Sequence, residues 1–293
     1  MICLRPVGWG LLFLLPSLAG PAALPTAAHG AIHEQIAAVS DQIRQDPKNP
    51  WLYLKRGELH SYHSDWQAAL ADYDRAAELD PGLVGVDLRR GRTLLKAGQF
   101  GSAKVALDRF LASQPSLAEG RVLRARALVQ LGQHEAGVAD FNHAIAYLAR
   151  LGRPNPDYYL ERARVVGARG SEHAEEALRG LDEGIAQLGP LATLQLYAIE
   201  LELARMQYDA ALARLATLAA QSPRQEIWLV RRGEILEQAG RSVDARLAYE
   251  QALVALDTVR SRSRNTRARA ELEEKVRAAL RRLEVNKSPE VQP

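Results

Sequence analysis

The sequence of 293 residues is poor in several things at once, and each shortage removes a class of function. It contains one cysteine, Cys3, so nothing past the first few residues can form a disulfide, act as a thiol nucleophile or hold a metal through sulfur. Aromatic residues make up 6%, and the 47% of hydrophobic residues is mostly Ala and Leu. Ala and Leu, together with many Arg and Glu, lose little on entering a helix, so the composition predicts an all-α chain. A strong charge bias is also missing. The 38 Lys and Arg stand against 35 Asp and Glu, a net charge of +3, and a dedicated nucleic-acid binder carries a clustered basic excess instead. No nucleic-acid partner is expected. Catalytic signatures are missing too: there is no G-x-S-x-G, no phosphate-cradling glycine loop and no H-E-x-x-H. The expectation is a chain that is not an enzyme and that uses no cofactor.

What is present begins with a targeting signal. Arg5 precedes an apolar run centred on Leu11-Leu12-Phe13-Leu14-Leu15, which Pro16 and Gly20 interrupt. Small residues follow, with cleavage expected after Ala28 (Thr26-Ala27-Ala28) or after Ala19 (Ser17-Leu18-Ala19). The run is shorter than the ~20 residues that span a bilayer. A cleaved signal and an exported, periplasmic chain without stable membrane insertion are therefore expected, and a signal anchored in the inner membrane is the alternative. Cys3 precedes the apolar run, whereas a lipid-anchored cysteine follows it.

A repeat fills most of the rest. Gly57, Gly91, Ala125, Ala163, Ile199 and Gly233 recur at spacings of 34, 34, 38, 36 and 34. Ala69, Ala103, Gly137, Ala177, Ala211 and Ala245 keep step with them, and so do Ala76, Phe110, Ala144, Gly184, Leu218 and Ala252. A turn residue lies between the first two series: Ser64, Gly98, Gly132, Gly170, Met206 and Gly240. Small residues inside helices let neighbouring backbones approach, and Trp66, Tyr73, Phe100, Leu107, Phe141, Tyr208 and Tyr249 fill the spaces left between. Each period reads as helix–turn–helix, too short to bury a core alone and buried only when the next unit stacks on it.

The stretches "WLYLKRGELHSYHSDWQAALADYDRAAELDP" and "LRRGRTLLKAGQFGSAKVALDRFLASQP" resemble the tetratricopeptide repeat family in its Trp–Leu-Gly–Tyr–Ala–Phe–Ala–Pro pattern. The leading aromatic of that pattern is matched by Tyr53 and replaced by Asp87 and Arg121 in the next two units. The resemblance implies a right-handed superhelical solenoid of six units, 50–83, 84–117, 118–155, 156–191, 192–225 and 226–259. Units four and five are degenerate, with an insertion at Arg169–His173 and Ile199 in the small slot. Around the array the organisation expected is a signal over 1–28, a capping helix over 29–49 with Ile32, Ile36, Val39 and Ile43 in a stripe, a charged capping helix over 260–285, and a disordered tail over 286–293.

Several constellations remain. Arginine precedes the small slot at Arg56, Arg90, Arg124, Arg162 and Arg232, and sixteen residues beyond Arg56 and Arg124 stand Asp72 and Asp140. This reads as a structural ion pair between the helices of a unit. In unit five Ala198 and Arg214 hold these places, as if the pair were lost together. The residue after the slot is Glu58, Arg92, Arg126, Arg164, Glu200 or Glu234. The resemblance implies that this position faces a concave groove. Arg92, Arg126 and Arg164 would then offer guanidinium forks to an anionic ligand, flanked by Trp51, Leu54, Glu58, Leu88, Leu196, Glu200, Val230 and Glu234. The alternative is an ordinary solvated face. Trp51 and Trp228 are groove contacts or end-of-array packing. His60 and His63 share a helix face near Asp65, but no third ligand is evident and no metal is expected. Ser171, Glu172 and His173 are adjacent in sequence, an arrangement that seldom converges on one substrate. The basic run Arg260, Arg262, Arg264, Arg267 and Arg269 is followed directly by Glu271, Glu273 and Glu274, so it reads as a solvated helix.

The functional expectation is an exported scaffold that binds a peptide or protein partner in the groove. The alternative is an envelope assembly factor that recognises an anionic polymer such as an acidic polysaccharide, held by nearly pure ionic contact.

Overall fold

Asn-Pro begins two helices for the same local reason. The Asn49 side chain accepts a hydrogen bond from the Trp51 amide at 3.2 Å, and Asn155 accepts from Asp157 at 2.9 Å. In each case the proline occupies the first helical position, where no amide donor is needed. The computed structural model describes residues 26–258 and 267–285, and all regular elements among them are helical. The expected signal up to residue 25, Arg260, Arg262 and Arg264, and the tail from 286 lie outside the described residues.

The chain divides into two compact units between Arg89 and Arg90, inside one helix. In order come α1 (Thr26–Gln45), α2 (Pro50–Tyr62), α3 (Trp66–Leu79) and α4 (Val86–Lys96), which carries the boundary. The second unit continues with α5 (Phe100–Ser113), α6 (Ala118–Gln130), α7 (His134–Arg150), α8 (Pro156–Gly167), α9 (Ala174–Leu188), α10 (Ala192–Ala204), α11 (Tyr208–Ala220), α12 (Gln225–Gln238), α13 (Ser242–Thr258) and α14 (Arg267–Val285). A single 3-10 turn, Ser171–His173, precedes α9.

Five of the six turns inside the helix pairs share one geometry, the exception being Gly170 (φ 138°) before the 3-10 turn. At Gly98 (φ 72°), Gly132 (φ 75°) and Gly240 (φ 72°) the chain enters the left-handed region. The next amide then reaches back five residues: Gln99 to Leu94, Gln133 to Leu128 and Arg241 to Leu236, each at 2.9 Å. These bonds satisfy carbonyls that a helix end leaves open. Ser64 (φ 67°) and Met206 (φ 56°) adopt the same conformation with a side chain present, and Asp65 and Gln207 make the same bond to His60 and Glu202.

Within a pair the small slot sets the helix separation. A Cβ at Gly57 would lie 2.6 Å from the Tyr73 ring, and one at Gly233 would lie 2.5 Å from Tyr249. At Gly91 the obstacle is Leu107, at 2.5 Å. A second close approach lies between α8 and α9, where a Cβ at Gly184 would sit 2.8 Å from the Tyr159 ring; in the repeat these positions correspond to Ala76 and Tyr53, the slot of this unit being Ala163. In α10 the slot holds Ile199, and the facing position holds Leu215 instead of a tyrosine, in one buried cluster with Ala211. The contact thus accepts side chains of different size at both positions.

Helices at both ends of the chain cover apolar surface. In the first unit α1 contributes Val39 and Ile43 to the cluster that holds Tyr53, Leu54 and Tyr73. In the second, α14 contributes Val276, Ala279 and Leu283 to the cluster that holds Val230 and Tyr249.

Arginines lock helix pairs together and also tie each pair to the helix before it. Arg56 of α2 donates to Asp72 of α3 at 2.6 and 2.9 Å and to Ser40 of α1 at 3.1 Å. Arg124 of α6 does the same with Asp140 of α7, at 2.7 and 2.8 Å, and with Asp108 of α5, at 2.8 Å. Arg162 of α8 reaches Glu183 of α9 and Asn142 of α7. Between α10 and α11 the polarity reverses: Arg214 of α11 holds Glu202 of α10 and Asp182 of α9. Asp72, Asp140 and Glu202 are all buried, so each needs its arginine.

Two measurements test this account. Met206 is 73% exposed and loses no packing on truncation. Met206→Gly is expected to raise stability to urea by about 0.5 kcal/mol, the left-handed strain relieved exceeding the chain entropy added. Gly57→Leu is expected to destabilise the fold by about 2–3 kcal/mol through overpacking against Tyr73.

Candidate functional site

A cavity of about 890 Å³ in the second unit lies along three successive first helices, α4, α6 and α8. Its floor is apolar: Leu95, Phe100, Val129 and Val165 line it half-buried, over the buried Val122, Leu123 and Phe141. Its rim is charged, and Arg92, Arg126 and Arg164 all stand on it. The sequence expectation that these three arginines share a surface corresponds to one cavity.

Their electrostatics differ from a bare cationic stripe. Arg92 is paired with Glu119. Arg126 forms a two-pronged pair with Glu161, Nε to Oε2 at 2.8 Å and Nη2 to Oε1 at 2.7 Å. The Glu161 carboxylate raises the guanidinium pKa of Arg126 above its ordinary value. Arg164 lies over the Tyr197 ring, 5.8 Å from its centroid, and among the described residues neither it nor Lys96 on the same rim has a carboxylate partner. Burial raises the phenol pKa of Tyr158 and of Tyr197, with Arg126 and Arg164 respectively opposing it.

The flanking residues divide. Leu54 and Val230 are 2% and 3% exposed, inside the clusters to which α1 and α14 contribute, so they are core residues and offer nothing to a ligand. Glu234 is held by Arg231 at 3.0 Å and by Lys275 of α14 at 2.5 Å, and these cations outweigh burial to hold its carboxyl below the usual range. Glu58 in the first unit is paired with Arg89 at 2.6 Å. Leu88 is half-buried, whereas Leu196 and Glu200 are exposed on α10. Trp51 is 59% exposed, while Trp228 packs beside the cluster containing Ile199 and Leu215.

Glu119, Glu161, Tyr158 and Lys96 are rim residues that the sequence reading passed over. A signal was available for Glu161: it follows Arg126 by 35 residues, about one repeat, as Arg89 follows Glu58 by 31 with the signs exchanged.

The other constellations stay apart from the cavity. His60 Nδ1 faces Asp65 at 3.4 Å, and the His63 ring packs 4.5 Å from that of His33 of α1. Among the described residues no group of three or more His, Cys, Asp or Glu could hold a metal ion. His173 contacts Glu172 and Glu176 beside the 3-10 turn. No described helix is long and apolar enough to cross a membrane.

Two family models match the chain: "Tetratricopeptide repeat" over residues 88–157 and "Tetratricopeptide repeat-like domain" over 160–276. The chain belongs to the tetratricopeptide repeat family. No curated protein matches it. Among solved structures it is similar to a tetratricopeptide repeat protein from Parabacteroides merdae, with 17% identity, 86% of this chain and 94% of that one covered, and a TM-score of 0.52. It also matches the structure of Naa15/Naa10 bound to HypK-THB, with 15% identity, 89% of this chain and 43% of that one covered, and a TM-score of 0.53. A third is MamA, residues 41 to the end, from Desulfovibrio magneticus RS-1, with 20% identity, coverage of 55% and 88%, and a TM-score of 0.48. The first two likenesses bear on the fold: all-α, with the helix pairs of a tetratricopeptide solenoid.

Glu202 provides a pH test of the buried polar network. Burial raises its carboxyl pKa, Arg214 opposing, and Oε2 has no hydrogen-bond partner. A carboxyl whose folded pKa is raised adds stability as pH falls through that pKa and loses it as pH rises. Glu202→Gln is therefore expected to compare best with the parent chain near pH 7 and worse as the pH falls below 5, measured by denaturant midpoints across that range.

Proposed function

We propose that this chain is an exported, non-enzymatic scaffold that binds a peptide segment of a partner protein in the cavity along α4, α6 and α8. The observation that carries the reading is the combination in one cavity of half-buried apolar side chains, Phe100, Val129 and Val165, and a rim of paired and unpaired charges. Apolar floors gain from burying a side chain, and a preformed rim fixes its orientation. Family membership supports protein interaction as the class of function. Export rests on the sequence of residues 1–28, with its basic start, apolar run and small-residue ends. A partner met through the apolar floor is favoured over an anionic polymer, because the polymer would leave that floor unused and two of the three arginines already hold carboxylates.

Site-specific photocrosslinking tests the reading. A benzoylphenylalanine at Gln130, exposed on the cavity rim, is expected to capture a partner polypeptide from envelope extract. The same probe at Val105, 53% exposed on α5 and outside the cavity lining, is expected to capture none. Equal capture by both positions would remove the cavity as the binding site.

A further inference from the structure

The rim charges are unevenly neutralised, and this bears on the chemistry of the occupant. Four cations, Arg92, Lys96, Arg126 and Arg164, face two carboxylates, Glu119 and Glu161. Both carboxylates are committed, to Arg92 and Arg126. The surplus therefore resides in Lys96, on α4, and Arg164, on α8, the two outer helices of the three. The floor between them is apolar.

We infer that the occupant is a short peptide segment in which apolar side chains are flanked on both sides by carboxylates. The apolar residues cover Phe100, Val129 and Val165, and the carboxylates meet Lys96 and Arg164. This rests on the reading of the cavity as a peptide site. Glu119 and Glu161 have a defined part in it as positioning residues. They hold Arg92 and Arg126 against the rim and compete with any ligand carboxylate for them. A ligand gains only from the cations that the chain leaves unpaired, so charge is recognised at the ends of the segment and not along its middle. Removing one of these internal competitors should tighten binding of an acidic ligand, which a simple solvated rim would not do.

The test uses the full chain and three fluorescein-labelled synthetic peptides read by anisotropy: Gly-Asp-Leu-Phe-Glu-Gly, its Asn/Gln analogue and its Lys/Lys analogue. The acidic peptide is expected to bind about tenfold more tightly than the amide analogue, the scale of charge-assisted hydrogen bonds to exposed cations, and the advantage should fade with added salt. Lys96→Gln with Arg164→Gln, both at exposed positions, should erase that preference, so that the acidic and amide peptides bind with equal affinity. Glu161→Gln should tighten the acidic peptide by about threefold, the scale of one exposed ion pair. Circular dichroism confirms that each variant is folded. The proposal is overturned by acidic and amide peptides that bind equally, by a lysine peptide that binds most tightly, or by a Glu161→Gln chain that binds the acidic peptide no better. In those cases crosslinking of the peptides from Gln130 would leave the cavity as a peptide site. If no peptide of the three binds or crosslinks, the peptide-site reading falls as well.

Discussion

Everything else depends on two helices approaching until a backbone rests on a side chain. At Gly57 and Gly233 the partner is a tyrosine ring, and no Cβ fits between. That contact fixes the separation within a pair, which in turn fixes how far the next pair sits and how deep a cavity its first helices enclose. Other pairs make the contact with other sizes of side chain: Leu107 faces Gly91, and Leu215 lies in one buried cluster with Ile199. A ring on a first helix, Tyr159, makes a further close approach against Gly184. The repeat keeps its close packing while the residues that supply it change.

The period was legible in the sequence because the close contact recurs at nearly constant spacing and turn residues must accept the left-handed conformation. Even the two exceptions, Ser64 and Met206, keep positive φ. The ion pairs Arg56–Asp72 and Arg124–Asp140 were legible for the same reason, since sixteen residues separate facing positions on the two helices of a regular pair. The Arg162 partner was not, because the longer connection shifts the facing position by two residues to Gly180, whose carbonyl Arg162 meets at 2.9 Å, and the acid, Glu183, stands nearly one turn further along α9. Arg214 was misjudged in the sequence as a lost pair. Its acids lie at Glu202 and Asp182, on the first helix of its own pair and on the preceding helix.

The candidate site was less legible, and the reason is geometric. Arg92 and Arg126 take their carboxylates from the next helix pair, 27 and 35 residues on, and that distance varies with every connecting loop. A single-repeat register assigns each position a face but not a neighbour. Leu54 and Val230 occupy the same register as Leu196, three residues before the small slot. Leu196 is exposed, whereas Leu54 and Val230 lie in clusters completed by the terminal helices α1 and α14. Ends of an array need covering, and the residues that do it come from outside the repeat.

The reversed polarity at Arg214 has a consequence for how such a chain can change its length. Before it, an arginine on the first helix of a pair reaches back to an acceptor on the preceding second helix, Asp108 or Asn142. At α10 and α11 the arginine sits on the second helix, and the acid it needs behind it is Asp182. Across the junctions the polarity is constant, since the preceding second helix always offers the oxygen and the next pair brings the arginine. What reverses is the contact inside the pair, where the buried carboxylate, Glu202, is on the first helix. Joining a first helix of this kind to a second helix that carries an acid, as α7 does at Asp140, would leave buried carboxylates without a counterion, so a helix pair can be copied or excised only whole.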